Sequence, residues 1–306
     1  MKYLFSLIFL INVFSYSLLI LKPLNYSTEF TVNEGDSLSK IFFDLEKKNI
    51  YFPKTMKLVF NLFEADKRVF YGKYNVTLQD SLLKIFNKIF FGKISLKEFI
   101  IPEGSQIKNL FTKEVIDEYC LEQDIVESCN LEGYLKPDIY YYDRDSELID
   151  ILRKSISSQN KILDKAWKDR KSNLENYTKF DILIIASILE KEACSNEREK
   201  ISGVIFNRLN LKMLLQMDST TIYGLKEFNG NIKKKHLKDS SLYNTYMHNG
   251  LPPGPISNPS RNSLFAAGQP ESHDFLYFVA KNKCEHEFSV NYDDHLMAVK
   301  KYQLKK

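Results

Sequence analysis

The order of apolar and polar positions divides the chain into stretches of different character. Residues 3–21, "YLFSLIFLINVFSYSLLIL", carry no charge and lie between Lys2 and Lys22. A helix of that length reaches roughly 28 Å at about 1.5 Å per residue, close to the ~30 Å hydrocarbon core of a bilayer. Cleavage after Ser15-Tyr16-Ser17 would leave Leu18 to Leu21 exposed at a new terminus. The pattern therefore favours an uncleaved single-pass anchor over residues 1–24, with the bulk of the chain exported.

From residue 25 to about 115 the pattern repeats as strand, polar turn and capped helix. Glu29 to Val32 reads as a strand, and Ser37 as the N-cap of an amphipathic helix ending near Asn49. Gly72 to Val76 and then Leu82 to Phe90 form the second instance. Phe99 to Ser105 and then Ile107 to Thr112 form the third. From about residue 115 to 180 the chain reads as mostly helical, with "LEGYLKPDIYYYD" as an ordered loop. Further on come a helix from about Glu197 to Leu211, a Gly/Pro-punctuated stretch, strands near Phe275–Val279 and Glu287–Val290, and a final helix from Tyr292 to Leu304. The expected fold class is α+β: an anchor, a small α+β region at 25–115, and a mixed helical and β domain at 116–306.

The run "IIASILEKEACSNEREK" at residues 184–200 breaks the ordinary amphipathic rule. An apolar segment runs almost all round its helix into Glu190 and Glu192, which suggests a carboxyl half inside a core. At about 100° per residue, Glu190 shares a face with Leu183, Ala186 and Ser187, and the small Ala186 and Ser187 leave room for a substrate. Glu192 points across the helix, over Asp181, Ile185 and Ile188, a side harder to open. A carboxyl against apolar surface holds its proton to higher pH and can serve as a general acid. The preferred acid is Glu190, with Glu192 as its rival. Downstream, Gln216, Asp218, Tyr223, Asn244, Thr245 and Tyr246 supply the amides, hydroxyls and rings that bind sugars. Arg198 and Arg208 are expected to hold Glu192 or Glu197 in ion pairs.

In this order the strings "IIASILEKE", "ERE" followed by "GVIFNRL", "LQMDSTTIYGL", "YNTYMHNGLPPGPISNP" and "LYFVA" resemble the MltG-type (YceG-like) endolytic murein transglycosylases. "LEGYLKPDIYYY" and "IPEGS" are similar to the segments ahead of that family's catalytic helix. The resemblance implies a bacterial inner-membrane enzyme with a LysM-like module. Its substrate would be peptidoglycan glycan strands, cut between N-acetylmuramic acid and N-acetylglucosamine to leave 1,6-anhydro ends. It places the essential acid on Glu190, requires no metal or other cofactor, and suggests peptidoglycan synthases as partners. "QMDST" departs from the pattern at Met217 and Ser219, and "KNKCEHEFSV" lacks the glycines usual before its histidine, so His286 is not assigned a catalytic role. A non-catalytic peptidoglycan-binding scaffold and a hydrolase using Glu190, Asp218 and water stand as alternatives.

Composition changes this picture little. With 306 residues, 44% hydrophobic and 27% charged, the chain is an ordinary globular one. A net charge of +4 spread along this length argues against nucleic acid as a partner. Cys120, Cys129, Cys194 and Cys284 have no metal-ligand spacing; in an exported domain Cys120 and Cys129 are close enough to bridge, and free buried thiols fit equally well.

Overall fold

The computed structural model describes residues 20–33, 35–53, 69–70, 72–91, 97–125, 129–142, 148–194 and 196–304. The expected anchor at 1–24 therefore lies almost wholly outside the described residues. Among those described, no helix is long and apolar enough to cross a membrane. The chain divides into two compact units, one of residues up to 98 with 141–146, the other of 99–140 with 147–306.

In the first unit, β1 (Thr28–Val32) pairs antiparallel with β2 (Gly72–Val76), Phe30 opposite Tyr74. The period-two pattern turns Phe30, Val32, Tyr74 and Val76 inward, and the rings of Phe30 and Tyr74 stack at 5.1 Å. Helix α1 (Leu38–Lys47) starts where the Ser37 hydroxyl accepts from Lys40 N–H, and buries Leu38, Ile41, Phe42 and Leu45. Helix α2 (Leu82–Phe91) adds Leu82, Ile85 and Ile89 to the same core. These four elements lie where the periodicity predicts them.

The third strand–turn–helix instance is different. Strand β3 (Lys97–Ile101) forms, but only a single helical turn, Ile107–Asn109, follows. The "IPEGS" turn belongs to the second unit. Gly104, at φ 69°, donates its N–H to Asn258 O at 2.9 Å, and Asn258 N–H returns to Ser105 O at 2.8 Å. Residues 99–115 thus fold with the C-terminal unit, not with the α+β region expected at 25–115. β3 pairs with β4 (Asp138–Tyr142), a strand where the tyrosine run had read as loop.

The second unit is built on α5 (Lys179–Glu192), reached through α3 (Lys113–Glu122) and α4 (Leu148–Lys168). A reciprocal capping box starts α5: Thr178 Oγ1 accepts from Asp181 N–H, and the Asp181 carboxylate accepts from Thr178 N–H at 2.7 Å. Every residue from Ile182 to Leu189 is buried, so α5 forms the centre of the core and carries no solvent stripe. Packed around it are α4, α6 (Arg198–Asn210), α7 (Asp218–Gly224) and α8 (Arg261–Gly268). The hairpin β5 (Tyr277–Ala280) and β6 (His286–Ser289) and helix α9 (Tyr292–Tyr302) complete the unit. Cys120 bridges Cys129, and Cys194 bridges Cys284. The second bridge ties the end of α5 to the turn of the hairpin.

Candidate active site

Helix α5 delivers both glutamates to the region where the domain's loops converge, and it treats them differently. Ser187 Oγ accepts from Ile256 N–H at 3.0 Å, and Ser187 O accepts from the Ser257 hydroxyl at 3.0 Å. The room above the small residues is therefore filled by the chain's own 256–260 segment. Glu190 is closed beneath it, its side chain only 4% exposed. Its Oε2 accepts from Ser260 N–H at 2.8 Å, Ser260 Oγ at 2.6 Å and Ser263 Oγ at 2.7 Å. Its Oε1 meets Arg198 Nη2 at 2.8 Å. Four short hydrogen bonds, one of them from a guanidinium, occupy both oxygens. A carboxyl so engaged is a clamp between α5, α6 and α8, which corrects the expectation of Glu190 as the proton donor.

Glu192 is the last residue of α5, beyond the point where Ile185 and Ile188 close that side of the helix. It opens on a cavity of about 560 Å³ lined by Arg208, Gln216, Asp218, Tyr246, Tyr277 and His286, among others. One oxygen accepts from Ser219 N–H at 3.3 Å. Burial pushes the pKa of Glu192 up, and the Asp218 charge adds to the shift; Ser219 and His286 oppose it. Its place at a helix C-terminus, where the macrodipole is negative, acts in the same direction as burial.

The cavity walls come from distant parts of the chain. Arg208 is 6% exposed and donates to Leu276 O at 2.6 Å, Leu214 O at 3.2 Å and Leu215 O at 2.8 Å. It binds carbonyls, not Glu192 or Glu197 as expected. These bonds fix the floor at Gln216, whose backbone is left-handed at φ 52° and whose N–H donates to Thr245 O at 3.1 Å. Tyr246 OH donates to Asp218 Oδ1 at 2.7 Å. Opposite, Glu197 takes the His286 N–H at 3.2 Å and lies 2.6 Å from its Nδ1, which orients the imidazole on the cavity wall.

Of the sugar-binding residues expected from sequence, Gln216, Asp218 and Tyr246 meet at this cavity. Asn244 and Thr245 are buried braces instead. Asn244 Oδ1 accepts from Thr221 Oγ1 at 3.0 Å, and Thr245 Oγ1 accepts from Met217 N–H at 2.9 Å. Tyr223 turns to another buried acid. Its hydroxyl donates to Glu132 Oε2 at 3.4 Å while Ile107 N–H donates to Oε1 at 3.2 Å, and burial pushes Glu132 up to about 7. Arg208, Tyr277, Tyr292 and His295 were missed. The signal was present in α9, where Tyr292, His295 and Val299 recur at helical spacing and share the face that lines the cavity.

An all-round buried helix thus ends in a carboxyl over a polar, tyrosine-walled cavity. The YceG-like family model matches residues 30–301, and the chain belongs to the YceG-like family. The chain is 38% identical over 174 residues to an endolytic murein transglycosylase of Bacillus subtilis, covering 56% of this chain and 48% of that one. It is 33% identical over 156 residues to an endolytic murein transglycosylase of Streptococcus pneumoniae, covering 49% of this chain and 28% of that one. The chain thus spans half or less of the length of these curated relatives. A crystal structure of a YceG-like protein from Listeria monocytogenes superposes with a TM-score of 0.59 at 27% identity, over 89% of this chain and 98% of that one.

Proposed function

We propose that this chain is an endolytic lytic transglycosylase. It cleaves the β-1,4 bond between N-acetylmuramic acid and N-acetylglucosamine in nascent peptidoglycan, with Glu192 as the single acid and base. The carrying observation is a carboxyl with a raised pKa opening on a cavity of donors and rings. The names of the relatives give the reading its substrate. Glu192 gives its proton to the glycosidic oxygen as the bond to C1 breaks and the electron pair leaves with that oxygen. The resulting carboxylate then takes the proton of the muramic C6 hydroxyl, whose oxygen bonds to C1. No water is consumed, and the tethered hydroxyl makes a second catalytic carboxylate unnecessary. Arg208, Gln216 and Tyr246 hold the sugar, and the rings of Tyr277 and Tyr292 offer pyranose stacking surfaces.

The uncharged run at 3–21 supports an anchor in the cytoplasmic membrane with the domain outside. Two disulfides support an oxidising compartment. The small α+β unit is read as a LysM-like glycan-binding module, and peptidoglycan synthases as partners that supply the nascent strand. The test is product analysis on uncrosslinked glycan: wild type and Glu192→Gln, with muropeptides weighed. Ends of 1,6-anhydro mass that vanish in the variant support the reading. Reducing ends one water heavier point to hydrolysis, and equal release by both proteins overturns the role of Glu192.

A further inference from the structure

A second cavity, of about 840 Å³, lies at the other end of α7 from the one described. Helix α7 carries Asp218 at its start and runs into this cavity at Gly224. A helix of seven residues spans roughly 10 Å, so the two cavities are neighbours along one glycan. Lys226, Lys233, Lys235 and His236 line it, against Glu227 and Asp239. Residues 226–241, "KEFNGNIKKKHLKDSS", hold five lysines and two acids; that excess of three is most of the +4 of the whole chain.

In the lining three lysines face two acids. Among the described residues no ion pair engages the ammonium of Lys226, Lys233 or Lys235, although all three are exposed around a concavity. The loop is nevertheless held in shape. Asn244 Nδ2 donates to Leu237 O at 3.2 Å and to Asp239 O at 2.7 Å, while its Oδ1 accepts from Tyr246 N–H at 3.1 Å. Lys233 N–H donates to His236 Nδ1 at 3.1 Å, which leaves Nε2 with the ring proton. One buried amide therefore fixes both the lysine loop and Tyr246 of the first cavity.

In a peptide-bearing strand the muramic lactyl carboxyl is tied up as an amide, so the sugar backbone is uncharged and this field has no partner in the sugar. The peptide carried on the muramic lactyl group is different, because it bears free carboxylates. We propose that the lysine-lined cavity is the subsite for that carboxylate-bearing peptide stem, and that it selects glycans still carrying their peptides. This deepens the proposed function and rests on it. Two ammonium–carboxylate contacts at an exposed site together supply roughly a tenfold preference, weakened by salt.

The experiment compares wild type with the Lys233→Ala, Lys235→Ala double variant on two uncrosslinked peptide-bearing glycans, one with free peptide carboxylates and one with those carboxylates amidated. The expected result is a roughly tenfold loss of kcat/KM on the free-carboxylate glycan and none on the amidated one, the difference closing at high ionic strength. An equal loss on both glycans, or no loss on either, overturns the subsite. Free acidic tetrapeptide is titrated in parallel by calorimetry. Binding to wild type and not to the variant supports the proposal, and no binding to wild type overturns it. Unchanged peptide binding with lost affinity for phosphatidylglycerol vesicles also overturns it, in favour of a lipid surface. If wild type cleaves neither glycan the transglycosylase reading fails, and the peptide titration still decides whether the cavity binds carboxylates.

Discussion

Two carboxyls two residues apart on one helix end have opposite fates. On the Glu190 side, the chain has folded back over the acid, and an arginine, two serine hydroxyls and a backbone N–H saturate it. On the Glu192 side, one weak N–H contact and a nearby carboxylate leave the acid under-solvated beside open space. The lesson is that burial alone does not make a proton donor. What decides is whether the surroundings stabilise the charge or merely remove water from it.

The sharpest way to break this comparison is to neutralise each acid in turn. Glu192→Gln should lower turnover by about 10²–10⁴-fold with its thermal midpoint unchanged, the scale of a lost general acid. A fully folded Glu192→Gln protein with wild-type turnover would reverse the assignment. Glu190→Gln should instead act on stability, by about 3–5 kcal/mol in urea unfolding, because it leaves Arg198 buried without its counter-charge. A further change of Arg198→Met in that background should recover much of the loss.

Glu132 sharpens the comparison from a third position, as an acid with a raised pKa that binds only its own protein. It is 2% exposed and its pKa of about 7 lies above the unfolded value, so the folded state binds the extra proton. Its contribution to stability is thus full below about pH 4.5 and is lost as pH rises through about 7. Glu132→Gln should flatten that dependence and stabilise the protein at pH 8, by up to about 3 kcal/mol in thermal or urea unfolding. The smallest effect is expected at Asp218. Asp218→Asn removes a charge that holds Glu192 protonated, so the alkaline limb of the pH–rate profile should move to lower pH. An unmoved limb would remove Asp218 from the electrostatics of the site.

Much of the fold could be read along the chain because its signals are local. Ser37 caps the helix it was expected to cap, and the first two strand–helix pairs form where periodicity puts them. Short elements were less legible. α7 and α8 have seven and eight residues within a stretch punctuated by Gly and Pro, too few turns to show a period. Helical-wheel geometry placed Glu190 above Ser187 correctly, yet nothing local announces that Ser257 and Ser260, seventy residues on, fill that space. Gln216 and Tyr246, in polar loops, and Asp218, at the start of α7, were legible as residues of one cavity. Arg208 was not, because its partners are backbone carbonyls that leave no trace in side-chain pattern.

The bridge between Cys194 and Cys284 closes ninety residues of chain into a ring, and the lysine-rich loop at 226–241 lies within it. A single cut by a protease in that loop would consequently release nothing. The two fragments would stay one molecule, covalently joined two residues beyond Glu192, and would separate on a gel only after a thiol is added.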